Sequence, residues 1–230
     1  MTIIQAVKEI SKAFAQITSE ENKHKKFNNI VDFMLCLYYA GKDREKQKII
    51  PKEEEIFVNS NNVIVAPDIE KYYACIKVIL TLYEQMPYTD ILGEFFQMEI
   101  SGNDHEQFFT PDAVCNLMAQ ISMPEIKENM RINDDCCGCG RTLLAGAKYI
   151  ASQQETTQIR PQDCLFIGRD IDDRCIRVTL LNLCLHKLKG FLTCGDTLLN
   201  TVKYQIYIDY TFPREKGNGQ PIWFCGKMSQ

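Results

Sequence analysis

Hydrophobic residues recur every three or four positions along the first forty residues, which is the spacing of one face of an amphipathic helix. The first such set is Ile3, Val7, Ile10, Phe14 and Ile17. Residues 27–39 repeat the pattern, and residues 68–83 predict a further long helix. We therefore expect an N-terminal helical region over residues 1–87.

The pattern changes after Thr110, where short β-rich segments alternate with helical ones. Four strands are predicted, at Met130–Asn133, Cys164–Gly168, Gly190–Cys194 and Tyr204–Ile208, with a possible fifth at Pro221–Cys225. Helices are predicted between them, at Thr142–Gln153 and Cys175–His186. This alternation predicts an α/β domain over residues 88–230, with a parallel sheet, helices on both faces and an end after strand four or five.

Composition narrows the class of protein. With 45% hydrophobic and 24% charged residues, the 230-residue chain matches an ordinary soluble globular protein. The net charge of −4 argues against a surface that grips nucleic acid along its whole length. No apolar run approaches the ~18 residues that span a bilayer, and the N-terminus lacks a secretory pattern. We expect a cytoplasmic protein without a membrane partner, whose eleven cysteines are reduced.

The most informative turn follows the first predicted strand. Asp134 is followed by Gly138 and Gly140, and glycines at a strand-to-helix turn let the backbone approach a ligand closely. Arg141 stands close to where a third glycine would complete a dinucleotide fingerprint, so a cofactor that is not held by a pyrophosphate is favoured. A tight structural turn is the alternative. The Cys136-x-x-Cys139 pair has no second pair at ligand spacing, so no metal site is predicted.

Acidic residues also follow the next two strands. Asp170 is placed to accept hydrogen bonds from both hydroxyls of a ribose, and Asp196 is placed to receive the amino group of an adenine. Asp172 and Asp173 are interpreted as helix-capping charges. Each isolated aspartate has the alternative role of a turn or cap residue, but three such signals at three successive strand ends favour a shared nucleoside pocket.

Four motifs carry a resemblance to a known family. Residues 108–111 (Phe-Phe-Thr-Pro) resemble the aromatic-Thr-Pro motif of N-6 adenine DNA methyltransferases, in particular the modification subunit of type I restriction-modification systems. Residues 134–144 are similar to that family's glycine turn, residues 182–186 to its Asn-x-x-Leu-His helix, and residues 195–198 to its Gly-Asp-(Thr/Ser)-Leu strand end. The resemblance implies a Rossmann-like sheet that binds S-adenosylmethionine.

The resemblance also implies roles for individual residues. Phe109, Thr110 and Pro111 would surround the methionine end of the cofactor. Asp134 and the glycine turn would line its middle. The adenosine end would be held by residues after the second and third strands, namely Asp170, Ile171, Asp196 and Thr197.

The segment expected to carry catalysis is altered. The family has (Asp/Asn)-Pro-Pro-(Tyr/Phe), whereas this chain has Asp209-Tyr210-Thr211-Phe212. Asp209 would accept hydrogen bonds from the target amino group and Phe212 would stack on the flipped adenine, but both stiffening prolines are missing. Two hypotheses follow. One is a DNA adenine methyltransferase that reaches DNA through a separate specificity subunit or domain, with restriction-modification subunits as partners. The other is a catalytically degenerate, cofactor-binding module with an assembly or regulatory role.

Overall fold

The computed structural model describes residues 1–39, 68–100, 110–209 and 222–226. Its contacts divide the chain into two compact units, Met1–Pro87 with Ile91–Phe108, and Tyr88–Asp90 with Phe109–Gln230. Residues 91–100 thus cluster with the first unit, although the second domain was expected to begin at residue 88. A separable domain over residues 1–87 stays a prediction.

The first unit is helical. Its helices are α1 (Ile3–Ala15), α2 (Lys23–Tyr39), α3 (Ile69–Gln85) and α4 (Ile91–Phe95), which continues into a π-helical turn (Phe96–Ile100). Helix α1 begins with a capping box between Thr2 and Gln5. Its buried face includes Phe14, whose ring meets that of Phe95 at 5.2 Å between centroids. The helical spacing predicted for this region is confirmed where the structure describes it.

The second unit contains a five-stranded sheet with its helices. The strands are β1 (Arg131–Asp134), β2 (Leu165–Asp170), β3 (Lys189–Cys194), β4 (Tyr204–Asp209) and β5 (Ile222–Gly226). The helices are α5 (Asp112–Ser122), α6 (Arg141–Ser152), α7 (Gln154–Thr157) and α8 (Asp173–Leu185), and a 3-10 turn covers Pro161–Asp163. The α/β fold class is confirmed, as are the positions of the strands.

The direction of β4 differs from the prediction. The strands lie in the order β1-β2-β3-β4-β5, with β1, β2 and β3 parallel. Strand β4 is antiparallel to β3, with Cys194 opposite Tyr204 and Gly190 opposite Ile208, and β5 is antiparallel to β4. The prediction of a parallel fourth strand was therefore wrong. Only a short loop separates β3 from β4, and a parallel connection needs a crossover of about a dozen residues or more.

The helices between the parallel strands cover one face of the sheet. Ile132, Phe166 and Gly190 are register partners and therefore share a face. Helix α6 contacts this face at Ile132, and helix α8 reaches Gly190 through Leu183. Helices on both faces were predicted, but in the described part of the chain α6 and α8 lie on the same side. Two right-handed crossovers that lead in the same direction along a sheet produce this arrangement.

A helix that crosses a membrane must be long and apolar enough to span the bilayer. Within residues 1–39, 68–100 and 110–209, no helix combines the length and the apolar character that crossing a membrane requires.

Candidate functional site at the carboxyl ends of the parallel strands

The glycine turn after β1 is held by its own hydrogen bonds. Asp134 ends the strand, and its carboxylate accepts hydrogen bonds from the Cys136 N–H (3.0 Å) and from the Thr142 hydroxyl. Gly138 and Gly140 both have left-handed backbones, with φ of +54° and +84°. Such values favour glycine because a β-carbon would be strained there. The turn is thus preformed and ends in helix α6.

Thr179 on helix α8 supports this turn from below. Its hydroxyl donates a hydrogen bond to the Gly138 carbonyl oxygen at 2.8 Å. A β-carbon added to Gly140 would lie 2.9 Å from the Thr179 Cγ2 atom, so the glycine also permits close packing of the helix. Sequence reasoning missed Thr179, because nothing local marks a residue that lies 41 positions away from its partner.

Asp170 at the end of β2 joins the same site. Its Oδ2 accepts a hydrogen bond from the Gly138 N–H at 2.8 Å, and its Oδ1 accepts one from the Asp172 N–H at 2.9 Å. An ionised carboxylate has about four acceptor positions, so Asp170 can accept further hydrogen bonds from a ligand. The neighbouring Ile171 is 57% exposed. Asp172 caps helix α8, as predicted, through the Arg174 N–H.

The loop after β3 lies beside the turn after β1 and the end of β2. Asp196 accepts hydrogen bonds from the N–H groups of Leu198 and Leu199, at 2.8 and 2.9 Å. The Thr197 hydroxyl reaches across to the glycine turn and donates to the Asp135 carbonyl oxygen at 2.6 Å. The strand-end loops carrying Asp134, Asp170 and Asp196 therefore converge at one edge of the sheet.

Arg169 fixes the shape of that loop and was also missed by the sequence analysis. Its guanidinium donates to the carbonyl oxygens of Asp196 (2.8 Å) and Thr201 (2.9 Å) and to the Asn200 side chain. Gly195 is required at the same place, because a β-carbon there would lie 2.0 Å from the Thr201 carbonyl oxygen. An arginine inside the Gly-Arg-Asp strand end was the available signal.

The Thr-Pro corner, which comprises Thr110 and Pro111, leads into helix α5. The structure places Pro111 at the N-cap and Asp112 at the first helical position. Proline has no side-chain hydrogen-bonding group, and this cap makes no side-chain hydrogen bond. The Thr110 carbonyl oxygen accepts a hydrogen bond from Arg141 at 3.1 Å, which ties the corner to the start of helix α6. Phe109 lies outside the described residues.

Asp209 lies at the opposite end of the sheet's strands, beside the start of β3. Because β4 runs antiparallel to β3, its last residue lies near Lys189, where β3 begins. Five residue steps of strand separate it from Tyr204, or about 17 Å. Asp209 is buried, and Tyr207 donates a hydrogen bond to its carboxylate at 3.0 Å. The structure thus separates Asp209 from the other described candidate residues, and Phe212 lies outside the described part of the chain.

The cysteines around the turn are mostly inert. A contact with Cys175, together with burial, holds the pKa of Cys139 well above its usual value, and burial does the same for the pKa of Cys137. These thiols stay protonated at neutral pH, whereas Cys136 is exposed. Among the described residues, no group of three or more His, Cys, Asp or Glu side chains is arranged to hold a metal ion.

The model of the N-6 DNA methylase family matches residues 85–211, which is more than half of the chain. This range contains all the described candidate site residues.

Solved structures that are similar to the chain include the following three. A modification subunit assigned to a type I restriction enzyme from Vibrio vulnificus has a TM-score of 0.51 and 16% identity, over 86% of this chain and 56% of that one. A type I restriction-modification methyltransferase subunit from Streptococcus thermophilus has a TM-score of 0.48 and 16% identity, over 85% and 58%. A protein from Listeria monocytogenes, assigned as a class I S-adenosylmethionine-dependent methyltransferase, has a TM-score of 0.47 and 18% identity, over 86% and 55%.

The chain spans less than three fifths of the length of each of these structures. The similarity to the Vibrio vulnificus subunit supports the shared fold. No curated protein matches the chain at a significant level. The match of the family model to more than half of the sequence shows that this chain belongs to the N-6 DNA methylase family.

Proposed function

We propose that the chain binds S-adenosylmethionine at the carboxyl ends of β1, β2 and β3. The observation that carries the proposal is a hydrogen bond between two strand ends. The carboxylate of Asp170, the last residue of β2, accepts it from the Gly138 N–H of the glycine turn at 2.8 Å. This hydrogen bond fixes an acidic group beside a backbone that two left-handed glycines keep open. Ligands of open α/β sheets bind in the crevice outside such strand ends.

The residues present suit a nucleoside with a charged amino-acid tail. In the proposed complex Asp170 accepts hydrogen bonds from the ribose hydroxyls, with Ile171 against the adenine. Asp196 receives the adenine amino group, since the one oxygen bonded to Leu198 and Leu199 leaves the other available to a ligand. Thr197 holds this loop against the glycine turn.

The remaining contacts concern the other end of the cofactor. Asp134, Gly138 and Gly140 line its middle, and Thr110 and Pro111, with Phe109, surround the methionine. The hydrogen bond between Arg141 and the Thr110 carbonyl oxygen supports this placement, because it holds the Thr-Pro corner against the first residue of helix α6.

The position of Asp209 favours a cofactor-binding module with an assembly or regulatory role. When bound, S-adenosylmethionine supplies a methyl group, and transfer requires the accepting nitrogen to lie about 3–3.5 Å from it. Asp209, the residue expected to hold that nitrogen, lies at the opposite end of the sheet's strands, about 17 Å along β4 from the end of β3. In this arrangement the described residues bind the cofactor but do not place an adenine beside it.

Methyl transfer to adenine in DNA is the second candidate. Membership of the N-6 DNA methylase family and the retained Asp209 and Phe212 favour it. It requires β4 to leave its antiparallel pairing with β3. It also requires DNA to be gripped largely by a specificity subunit or by other restriction-modification subunits in the cytoplasm, since the net charge of this chain is −4.

Calorimetric titration and methyl transfer separate these proposals. The purified chain is titrated with S-adenosylmethionine, and is then incubated with cofactor labelled in the methyl group and mixed-sequence DNA. Saturable binding without incorporation supports the module, whereas incorporation that Asp209→Ala abolishes supports the enzyme. Asp163→Asn, a change at the partly exposed carboxylate that pairs with Arg160, is the control and should alter neither result. A chain that does not bind S-adenosylmethionine contradicts both proposals.

A further inference from the structure

Arg141 has a buried guanidinium group at the start of helix α6. The residue is only 5% exposed, and it stands close to where a third glycine would complete a dinucleotide fingerprint. Its Nη1 donates to the Thr110 carbonyl oxygen at 3.1 Å, and its Nε lies 3.5 Å from Asp90 Oδ2 and 3.8 Å from Asp112 Oδ1. One side chain thus contacts residues before, within and after the Thr-Pro corner.

The acidic partner is itself held by helix α8. Asp90 is 1% exposed, and its Oδ1 accepts a hydrogen bond from the Asn182 side-chain amide at 2.9 Å. The same amide nitrogen donates to the carbonyl oxygen of Cys139 in the glycine turn, at 2.8 Å. Asn182 on helix α8 is therefore linked both to the glycine turn and, through the buried side chains of Asp90 and Arg141, to the Thr110 carbonyl oxygen.

This network couples two parts of the proposed pocket. Asn182 fixes the glycine turn, and Arg141 fixes the Thr-Pro corner relative to it. A planar guanidinium can meet a carboxylate and a carbonyl oxygen at the same time, whereas a lysine ammonium at this site would keep the charge but lose the fork. The contacts therefore depend on arginine in particular.

We infer that Arg141 is a positioning residue that sets Thr110 and Pro111 over the amino-acid end of S-adenosylmethionine and so determines affinity for that end alone. The inference rests on the proposed cofactor site. It predicts that a change at Arg141 weakens ligands that possess the amino-acid end and spares ligands that lack it. A merely structural role would weaken both kinds of ligand equally.

Two thioether ligands provide the matched comparison. S-adenosylhomocysteine carries the amino-acid end, and 5′-methylthioadenosine replaces it with a methyl group. We expect Arg141→Lys to lower the affinity for S-adenosylhomocysteine at least ~10-fold. The affinity for 5′-methylthioadenosine should change by less than about 2-fold. Arg160→Lys, the same exchange at an exposed surface pair, should change neither affinity.

A second variant guards against loss of the fold. Removing Arg141 alone would leave Asp90 buried without its cationic partner, which is strongly destabilising. The double variant Asp90→Asn, Arg141→Met removes both charges and keeps an amide or carbonyl partner for Asn182. It should show the same ligand selectivity as Arg141→Lys. Equal weakening of both ligands in these variants, or no weakening of either, would overturn the inference.

Wild-type protein provides a test without any substitution. S-adenosylhomocysteine should slow amide hydrogen exchange at the start of helix α5, whereas 5′-methylthioadenosine should not. Equal protection by both ligands would contradict contact between the Thr-Pro corner and the amino-acid end. If the wild-type chain binds neither ligand, the proposed function fails and the inference fails with it. If both ligands bind without the expected selectivity, only the inference fails.

Discussion

Gly140 combines a left-handed backbone (φ +84°) with close packing against Thr179, whose Cγ2 would lie 2.9 Å from an added β-carbon. Gly140→Ala therefore has two costs. A left-handed conformation costs a residue with a β-carbon about 1–2 kcal/mol, and an overpacked contact adds about 1–3 kcal/mol. We expect the substitution to lower the free energy of unfolding by about 2–5 kcal/mol.

The substitution Thr179→Ser separates the two costs. It removes Cγ2 but keeps the hydroxyl that donates to the Gly138 carbonyl oxygen. In that background Gly140→Ala should lose most of the overpacking and keep the backbone strain, at about 1–2 kcal/mol.

Urea denaturation of the four proteins, followed by circular dichroism, measures the coupling between the two positions. The double variant should be more stable than the sum of the single effects by at least ~1 kcal/mol. Additivity within about 0.5 kcal/mol would show that the alanine methyl group does not meet Thr179. That result would refute the packing described for the turn.

The other predictions concern ligand binding, thiol exposure and pH. Asp170→Ala and Gly138→Val should each weaken S-adenosylmethionine at least ~10-fold in calorimetric titration, and unchanged affinity in both would remove the site from the glycine turn. Cys136 should react with an aromatic disulfide before the eight buried cysteines of the described residues, with S-adenosylmethionine slowing the reaction. Peptide mapping that finds a buried thiol labelled first would be inconsistent with this burial. Burial lowers the pKa of His186 to about 4, below the ~6.5 of an unfolded histidine. The folded state then binds fewer protons, so stability is full above pH ~6.5 and falls by about 3 kcal/mol as the pH drops to ~4. In His186→Phe the urea midpoint should vary less with pH over this range. If the midpoint of this variant falls with pH as it does in the wild type, His186 is not the cause.

Much of the fold was predictable because its signals are local. The helical spacing that includes Ile10 and Phe14 and the β-rich segments each reflect the period of one element, which tertiary contacts did not override. The acidic residues at the strand ends were found in the same way. Asp170 and Asp196 follow buried strands, and parallel strands bring such ends to one edge.

The direction of β4 was missed, although the sequence contained a signal for it. Residues 195–203 include no helical pattern and are too few for a parallel crossover, so an antiparallel hairpin was the simpler prediction. The alternation of strands and helices up to β3 favoured a parallel sheet instead. The roles of Thr179 and Arg141 could not be predicted, because their partners lie 41 and 31 residues away in the sequence.

The hairpin also bears on how the sheet assembles. Strands β3 and β4 pair close to their connecting loop, so little chain entropy opposes their meeting, whereas β1 and β2 are joined only after helix α6 has been traversed. We expect the β3–β4 ribbon to nucleate the second unit and β1 to dock late. The glycine turn would then be among the last parts to mature, so the proposed cofactor pocket would form only at the end of folding.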